Sequence, residues 1–285
     1  MIAIILLILL LIPPMAEAQN HQTFQIARPV AVGVAGTGLD ADNRVYRAYT
    51  GIPYEIHADA VGGSWPYTYS LSNAPAGMTI EAGPCTNIGP TGCTAGTITW
   101  TNPTSTASNI VVTIRDKDGD IVTGTWSITV STTIGADGFC FIDANNAAGG
   151  RNGSLASPYN SLLEMYNSCG ARSIAYFRTG TYLTSALSGV ALASDPAEYG
   201  SRAVFSEASR PVIWLAYPGE IPLIDFGSTG LNVVELMDMQ GENIWVAGFE
   251  AQNIGNIGWR NNIRNKFGEE YRNNTFHDLK DGESY

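Results

Sequence analysis

The spacing of apolar residues changes period twice between Phe139 and Tyr182. Phe139 to Ile142 is a short apolar strand that runs into a polar loop rich in Asn and Gly. Leu162, Leu163, Met165, Tyr166 and Cys169 then recur at helical spacing. Ser157 stands as the expected N-cap, Pro158 as the first helical residue and Gly170 as the stop. Ile174 to Phe177 is a second strand, and Gly180-Thr-Tyr182 a turn. After this point only strands are expected. The single helix is therefore expected to cap an open end of a stack of strands, covering core and edges that water would otherwise reach.

Upstream the pattern has period two. Residues 19–44 form a lead-in with few periodic signals, in which Val30 to Leu39 is expected to hold a strand. From residue 45 to 131, Pro53 to Ala58, Gly62 to Leu71, Ala74 to Ile80, Gly96 to Trp100, Ile110 to Ile114 and Thr125 to Val130 read as short strands separated by turn residues. That rhythm suggests a β-sandwich.

Downstream, residues 184–210 read as a polar, small-residue insertion. Strands return at Val212 to Tyr217, Leu223 to Asp225, Val233 to Met237, Ile244 to Val246 and Tyr271 to Phe276. Phe249 and Phe276 both follow strands, at a spacing inside the roughly 20–50 residues of a solenoid repeat. The chain ends in Asp281-Gly-Glu-Ser-Tyr285 with no closing helix, so the expectation is the front part of a longer protein.

Composition narrows the picture. A length of 285 residues suggests about two domains, and 45% hydrophobic against 14% charged residues permits a core. The net charge of −11 argues against nucleic acid, whose phosphates call for Lys and Arg. It leaves room for an anionic polysaccharide bound through calcium. Ile2 to Ile12 is an apolar run too short to span a bilayer, and Ala16-Glu-Ala18 follows it as a cleavage site. Residues 1–18 are therefore read as a signal peptide. The protein is expected to be secreted or at the cell surface, with no stable membrane insertion after cleavage. Export permits disulfides. The economical pairing of the four Cys is Cys85–Cys93 and Cys140–Cys169, one of three connectivities.

Two resemblances follow. Asp143-Ala-Asn-Asn146, Gly153-Ser-Leu-Ala-Ser-Pro158, Phe177-Arg-Thr-Gly-Thr-Tyr182, Trp214 to Asp225 and Asn273-Asn-Thr-Phe276 make residues 137–285 resemble secreted pectate-lyase-like proteins. Pro66 to Leu71, Pro75-Ala-Gly-Met-Thr-Ile80, Gly96-Thr-Ile98 and Val112 to Gly119 make residues 45–131 resemble the immunoglobulin-like, cadherin-like modules of bacterial surface and secreted enzymes. Together they imply an all-β chain. An immunoglobulin-like sandwich is followed by the N-terminal coils of a right-handed parallel β-helix with a capping helix.

The resemblance of residues 137–285 to pectate-lyase-like proteins implies β-elimination on a uronic-acid polysaccharide. Such chemistry needs a cation to neutralise the uronate, a base for the proton α to it, and help for the leaving oxygen. No catalytic residue transfers by motif. The densest polar cluster offers His277 or Lys280 as base with Arg272 upstream, and Asp278, Asp281 and Glu283 as calcium ligands. The competing reading is a solvated turn. Asp116, Asp118 and Asp120 offer another calcium set, set against a hairpin turn built on Asp-Gly. Trp65 and Tyr67, with Tyr69, offer a sugar-stacking face, set against burial in the sandwich core. Asn273 and Asn274 read as an asparagine ladder inside the turns. The alternative to an enzyme, lyase or glycoside hydrolase, is a non-catalytic adhesin or glycan-binding protein.

Overall fold

The computed structural model describes residues 23–34, 41, 43–85, 93–170, 172–183, 203–206, 213–225, 237–240, 245–253, 259–261, 270–272 and 274–276. The first part holds β1 (Gln25–Arg28), β2 (Arg47–Tyr49), β3 (Tyr54–His57), β4 (Asp59–Val61), β5 (Thr68–Ser72), β6 (Met78–Ile80), β7 (Thr97–Trp100), β8 (Ala107–Arg115) and β9 (Ile121–Ser131). One sheet runs β2-β9-β8-β5 and a second β3-β7-β6. Period-two burial makes the two sheets face each other. Ile110, Val112, Ile114, Trp126 and Ile128 of the first join Tyr54, Ile56, Ile98 and Trp100 of the second in one core. Ser127 and Thr129, between and beyond the buried positions of β9, stay exposed.

The lead-in differs from expectation. Its strand is β1, antiparallel to β4, and lies ahead of the Val30–Leu39 segment. Pro29 follows it and supplies no N–H to extend the ladder. Val32 and Val34 are exposed, and residues 35–39 lie outside the described residues. The Arg28 guanidinium pairs with Asp59, whose other oxygen meets His57 Nδ1 at 2.7 Å. The lead-in crosses β9 at Gly124, where a Cβ would stand 2.0 Å from the Pro29 carbonyl oxygen.

The second part holds β10 (Phe139–Ile142), β11 (Ile174–Phe177), β12 (Thr181–Leu183), β13 (Ala203–Ser206), β14 (Ile213–Ala216), β15 (Leu223–Asp225) and β16 (Met237–Gln240). It continues through β17 (Trp245–Ala247), β18 (Glu250–Gln252), β19 (Trp259–Asn261), β20 (Glu270–Arg272) and β21 (Thr275–Phe276). These strands form three parallel sheets, β10-β11-β14-β17-β20, β12-β15-β18-β21 and β13-β16-β19. From β11 onward the chain visits the three sheets in rotation. The segment 184–210, read as an insertion, contributes β13 to the third sheet. Phe276 pairs with Ala251, so it does not repeat the position of Phe249. The turn position of Phe249 is met instead by Asn274. The Asn274 side chain accepts from the Phe249 amide at 3.0 Å and donates to the Val246 carbonyl at 2.9 Å.

Register decides what the first of these sheets buries. Cys140, Ala175, Trp214 and Val246 stack in one rank and face an inner core. Phe177 is its hub, with ring centroids 5.3 Å from Tyr182, 5.4 Å from Trp214 and 5.2 Å from Phe249. Each such fully buried side chain contributes about 1.5–3 kcal/mol. The Tyr182 hydroxyl reaches the Arg178 carbonyl at 2.8 Å and accepts from the Ala144 amide at 3.2 Å. This partnering is what burial of a phenol requires.

Among the described residues the one α-helix, α1 (Leu162–Ser168), covers this core beside β10, with Leu162, Met165 and Tyr166 buried. Its N-cap is Ser161, not Ser157. The Ser161 hydroxyl accepts from the Glu164 amide at 3.1 Å, and Glu164 reaches back to the Asn160 amide at 3.0 Å. Ser-Leu-Leu-Glu is thus a capping box in spacing, one residue offset in its return bond. Ser157 and Pro158 belong to the stretch that lies along the free edge of β10. There the Tyr159 amide donates to the Phe141 carbonyl at 2.9 Å. Gly170 is required by close approach, since a Cβ there would lie 2.2 Å from the Ala136 nitrogen. A disulfide joins Cys140 on β10 to Cys169 at the helix end, and a second joins Cys85 to Cys93.

The opposite face of the first parallel sheet meets the sandwich. Phe139, Phe141, Ile174, Tyr176, Ile213 and Leu215 belong to the same buried cluster as the sandwich core. Tyr49 sets its ring edge-on to Phe139 at 5.2 Å and Phe141 at 4.9 Å. Arg47 Nη1 donates to the Arg172 carbonyl at 2.7 Å.

Two stability predictions follow from this packing. Ser161→Ala removes the cap and is expected to cost about 1 kcal/mol in urea unfolding, while Ser157→Ala leaves the helix cap intact. The reverse ranking would restore the cap to Ser157. Tyr49→Ala removes two aromatic edge contacts and is expected to cost about 2–3 kcal/mol. It is also expected to lower the unfolding midpoint of both parts of the chain, followed by hydrogen exchange. A change confined to the sandwich amides would show that the two parts unfold separately.

Candidate functional site

The most organised polar cluster is at one end of the sandwich, where the β8–β9 hairpin meets the loop before β5. The Asp116 carboxylate accepts from the Ser64 amide at 2.9 Å and the Asp120 amide at 2.8 Å, one on each oxygen. The Asp116 amide donates to the Asp120 carbonyl at 3.0 Å, and Gly119 closes the turn with φ +97°. Lys117 donates its amide to the Ser64 carbonyl at 2.9 Å, and Asp118 accepts from the Ser64 hydroxyl and from Lys117 Nζ. Amide hydrogen bonds, the Ser64 bond first among them, hold the Asp116 carboxyl below its ordinary range.

At Asp116, Asp118 and Asp120 the described geometry is a hydrogen-bonded hairpin clasp, the turn reading that the sequence sets against calcium. Backbone donors take both Asp116 oxygens. Among the described residues no group of three or more His, Cys, Asp or Glu side chains is placed to hold a metal ion.

The clasp fixes the loop that carries Trp65. That indole is 51% exposed. Tyr67 turns away from a shared platform: its hydroxyl donates to the Gly62 carbonyl at 2.6 Å, and its ring stacks on Phe24 at 5.6 Å. Tyr69 packs against the core. The expected pair of stacking rings is thus divided, with Trp65 presented to solvent and Tyr67 half-buried.

Arg272 ends β20, in register with Ala247. His277, Asp278, Lys280, Asp281 and Glu283 lie outside the described residues. The structure neither assembles nor separates that proposed acid–base and calcium cluster.

Sequence reading missed three polar groupings that bind neighbouring strands of the second part. Asp225 accepts from Gln252 Nε2 at 3.0 Å and Asn253 Nδ2 at 2.9 Å, one turn of the rotation apart. Glu220 accepts from Arg178 Nε and from the Thr179 amide, both at 2.6 Å, and Arg178 lies over the Tyr217 ring at 4.6 Å. Arg172 pairs with Asp137 at 2.7 Å beside Arg47. The first has a sequence signal, since Asp225 and Gln252 end strands that pair residue for residue. The other two join segments with no shared pattern.

Residues 36–133 match the family described as "Putative Ig domain". With its two facing sheets, this segment is an immunoglobulin-like module. No curated protein and no solved structure shows significant similarity to the chain. No helix of the described residues is long and apolar enough to cross a membrane.

Asp116 carries a pH prediction. Its folded carboxyl titrates below the ordinary value, near 3.9 in model peptides, so its contribution is present above that value. The contribution is lost as pH falls through the lower folded value. Asp116→Asn places an NH₂ against an amide donor and is expected to lower the urea midpoint at pH 7. The gap from wild type should narrow as pH falls below the ordinary carboxyl value of about 3.9. A gap that stays constant with pH would remove the carboxylate charge from the clasp.

Proposed function

We propose that this chain is an exported carbohydrate-active protein whose second part is the opening of a right-handed parallel β-helix of the pectate-lyase-like kind. The observation that carries this reading is the rotation of β11 to β21 through three parallel sheets, with aromatic side chains packed edge-on inside and Asn274 bracketing one turn to the next. Polysaccharide is the partner, and uronic-acid polymers fit the requirement for β-elimination. Calcium would neutralise the uronate, with Asp278, Asp281 and Glu283 as its ligands, and His277 or Lys280 would remove the α-proton, with Arg272 upstream in sequence. A hydrolase acting on the same polymers is the near variant.

A second reading has its own observation. Trp65 is presented to solvent on a loop clasped by Asp116 and Asp118. A rigid exposed indole is a stacking surface for a sugar ring, and it supports an adhesin or glycan-binding role.

The deciding experiment incubates the full chain with polygalacturonate and with alginate, with and without calcium. Ultraviolet absorbance reads unsaturated uronide, and sedimentation with insoluble polymer reads binding. Product that falls at least about 100-fold in His277→Ala or Lys280→Ala supports the lyase. Binding without product, lost in Trp65→Ala, supports the adhesin. Neither product nor binding overturns the polysaccharide reading.

A further inference from the structure

The hairpin tip that clasps Trp65 carries further polar groups beside that indole. Ser64, its chain neighbour, has all three of its polar groups engaged there: its amide with Asp116, its carbonyl with the Lys117 amide and its hydroxyl with Asp118. Gly63 is confined as well. Its φ is +67°, and a Cβ there would stand 2.7 Å from the Phe24 ring. The approach to Trp65 is thus fixed before any ligand arrives, so little ordering remains to be done on binding.

Lys117 and Asp118 remain open to water, with 59% and 57% of their side chains exposed. Lys117 Nζ donates to Asp118 at 2.9 Å, and an ammonium group has two more N–H donors for a ligand hydroxyl. The Asp118 carboxylate beside it is an acceptor. The same ion pair sets what the site refuses. The Lys117 charge is met by Asp118, and Asp120 is a further exposed carboxylate of the tip. An incoming carboxylate would meet like charge and a cation already engaged. A hydroxyl accepts from one partner and donates to the other. A sugar ring with equatorial hydroxyls has an apolar C–H face that lies flat on an indole and keeps those hydroxyls at its rim.

We propose that Trp65, Lys117 and Asp118 form a surface subsite for a neutral glycan of equatorial sugars, with one ring stacked on the indole and its hydroxyls shared between the ammonium and the carboxylate. The inference rests on the glycan-binding reading of Trp65 and adds which class of sugar that site takes. It sets the immunoglobulin-like module apart from the second part of the chain. The module holds to an uncharged polymer, whereas β-elimination needs a uronate. The residues of the subsite are separate from the polymer-cleavage candidates, so the lyase reading stands or falls without it.

The test titrates the full chain, isotope-labelled, with cellohexaose and with a glucuronate hexamer of the same linkage, read by amide chemical shifts. Cellohexaose is expected to give saturable shifts at residues 62–68 and 115–121 at about millimolar concentration. Trp65→Ala is expected to weaken it about tenfold or more. The glucuronate hexamer is expected to bind about three- to tenfold more weakly at low salt, and the gap to narrow as salt screens the exposed charges. Asp118→Asn keeps an oxygen for the Ser64 hydroxyl but releases Lys117 from its counter-charge. It is expected to raise the affinity for the glucuronate hexamer relative to cellohexaose about threefold or more, a shift that a merely structural role of Asp118 would not produce. Glucuronate binding as tightly as cellohexaose, with both lost in Trp65→Ala, overturns the neutral-sugar assignment and leaves the glycan-binding reading standing. A relative affinity unmoved by Asp118→Asn overturns the part given to the ion pair. No saturable shift with either hexamer up to about 10 mM, or shifts that persist in Trp65→Ala, overturns the proposal together with the stacking role of Trp65 on which it rests.

Discussion

Strand β10 is buried on both faces, and the rest of the structure depends on that. Phe139, Cys140, Phe141 and Ile142 are each 1% exposed or less. Phe139 and Phe141 look into the cluster shared with the sandwich, while Cys140 and Ile142 look into the inner core. A slip of one residue would exchange the two pairs and put the disulfide cysteine into the seam. The ladder edges fix the register from both sides. β11 pairs along one edge, and the stretches at Thr133 to Gly135 and Gly153 to Tyr159 hydrogen-bond along the other. The disulfide to Cys169 then anchors α1 over the core that β10 begins.

This arrangement gives the immunoglobulin-like module more than a spacing role. It covers the outer face of the first three strands of the parallel sheet, where six large apolar side chains would otherwise meet water. Along the two outward ranks the residue types change with each strand. One rank reads Phe139, Ile174, Ile213, and the other Phe141, Tyr176, Leu215, Ala247. These apolar positions coincide with the module's footprint. The register therefore lines up a dry docking face on this sheet.

Much of this was legible in the chain. Alternating burial in β8 and β9, the helix at 162–168 and the apolar runs at 139–142 and 174–177 all follow from period alone. The misplaced helix start and lead-in strand have physical causes, and two site readings depend on distant partners. Ser157-Pro158 carries helix-start residues, but its backbone lies along the edge of β10, and Ser161 with Glu164 satisfies the helix amides instead. Val30 to Val34 is apolar enough for a strand, yet Pro29 ends the ladder before it. Asp116, Asp118 and Asp120 have ligand-like spacing, but the Ser64 amide from a distant loop competes for the carboxylate. Trp65 and Tyr67 share a strand-like alternation, and only Phe24, far away in sequence, separates them.

The sequence by itself determined the elements whose cause is local: strand period, helical spacing, turn residues and the nearness of cysteines. Tertiary structure alone decided the pairings across long separations. These include the module laid on the outer face of the parallel sheet, the Arg47–Arg172–Asp137 seam, and the clasp that leaves Trp65 exposed. The physical reason is that periodicity states which face of a strand is buried but not against what. A face finds its partner only when all competing apolar surfaces and unsatisfied amides are settled together.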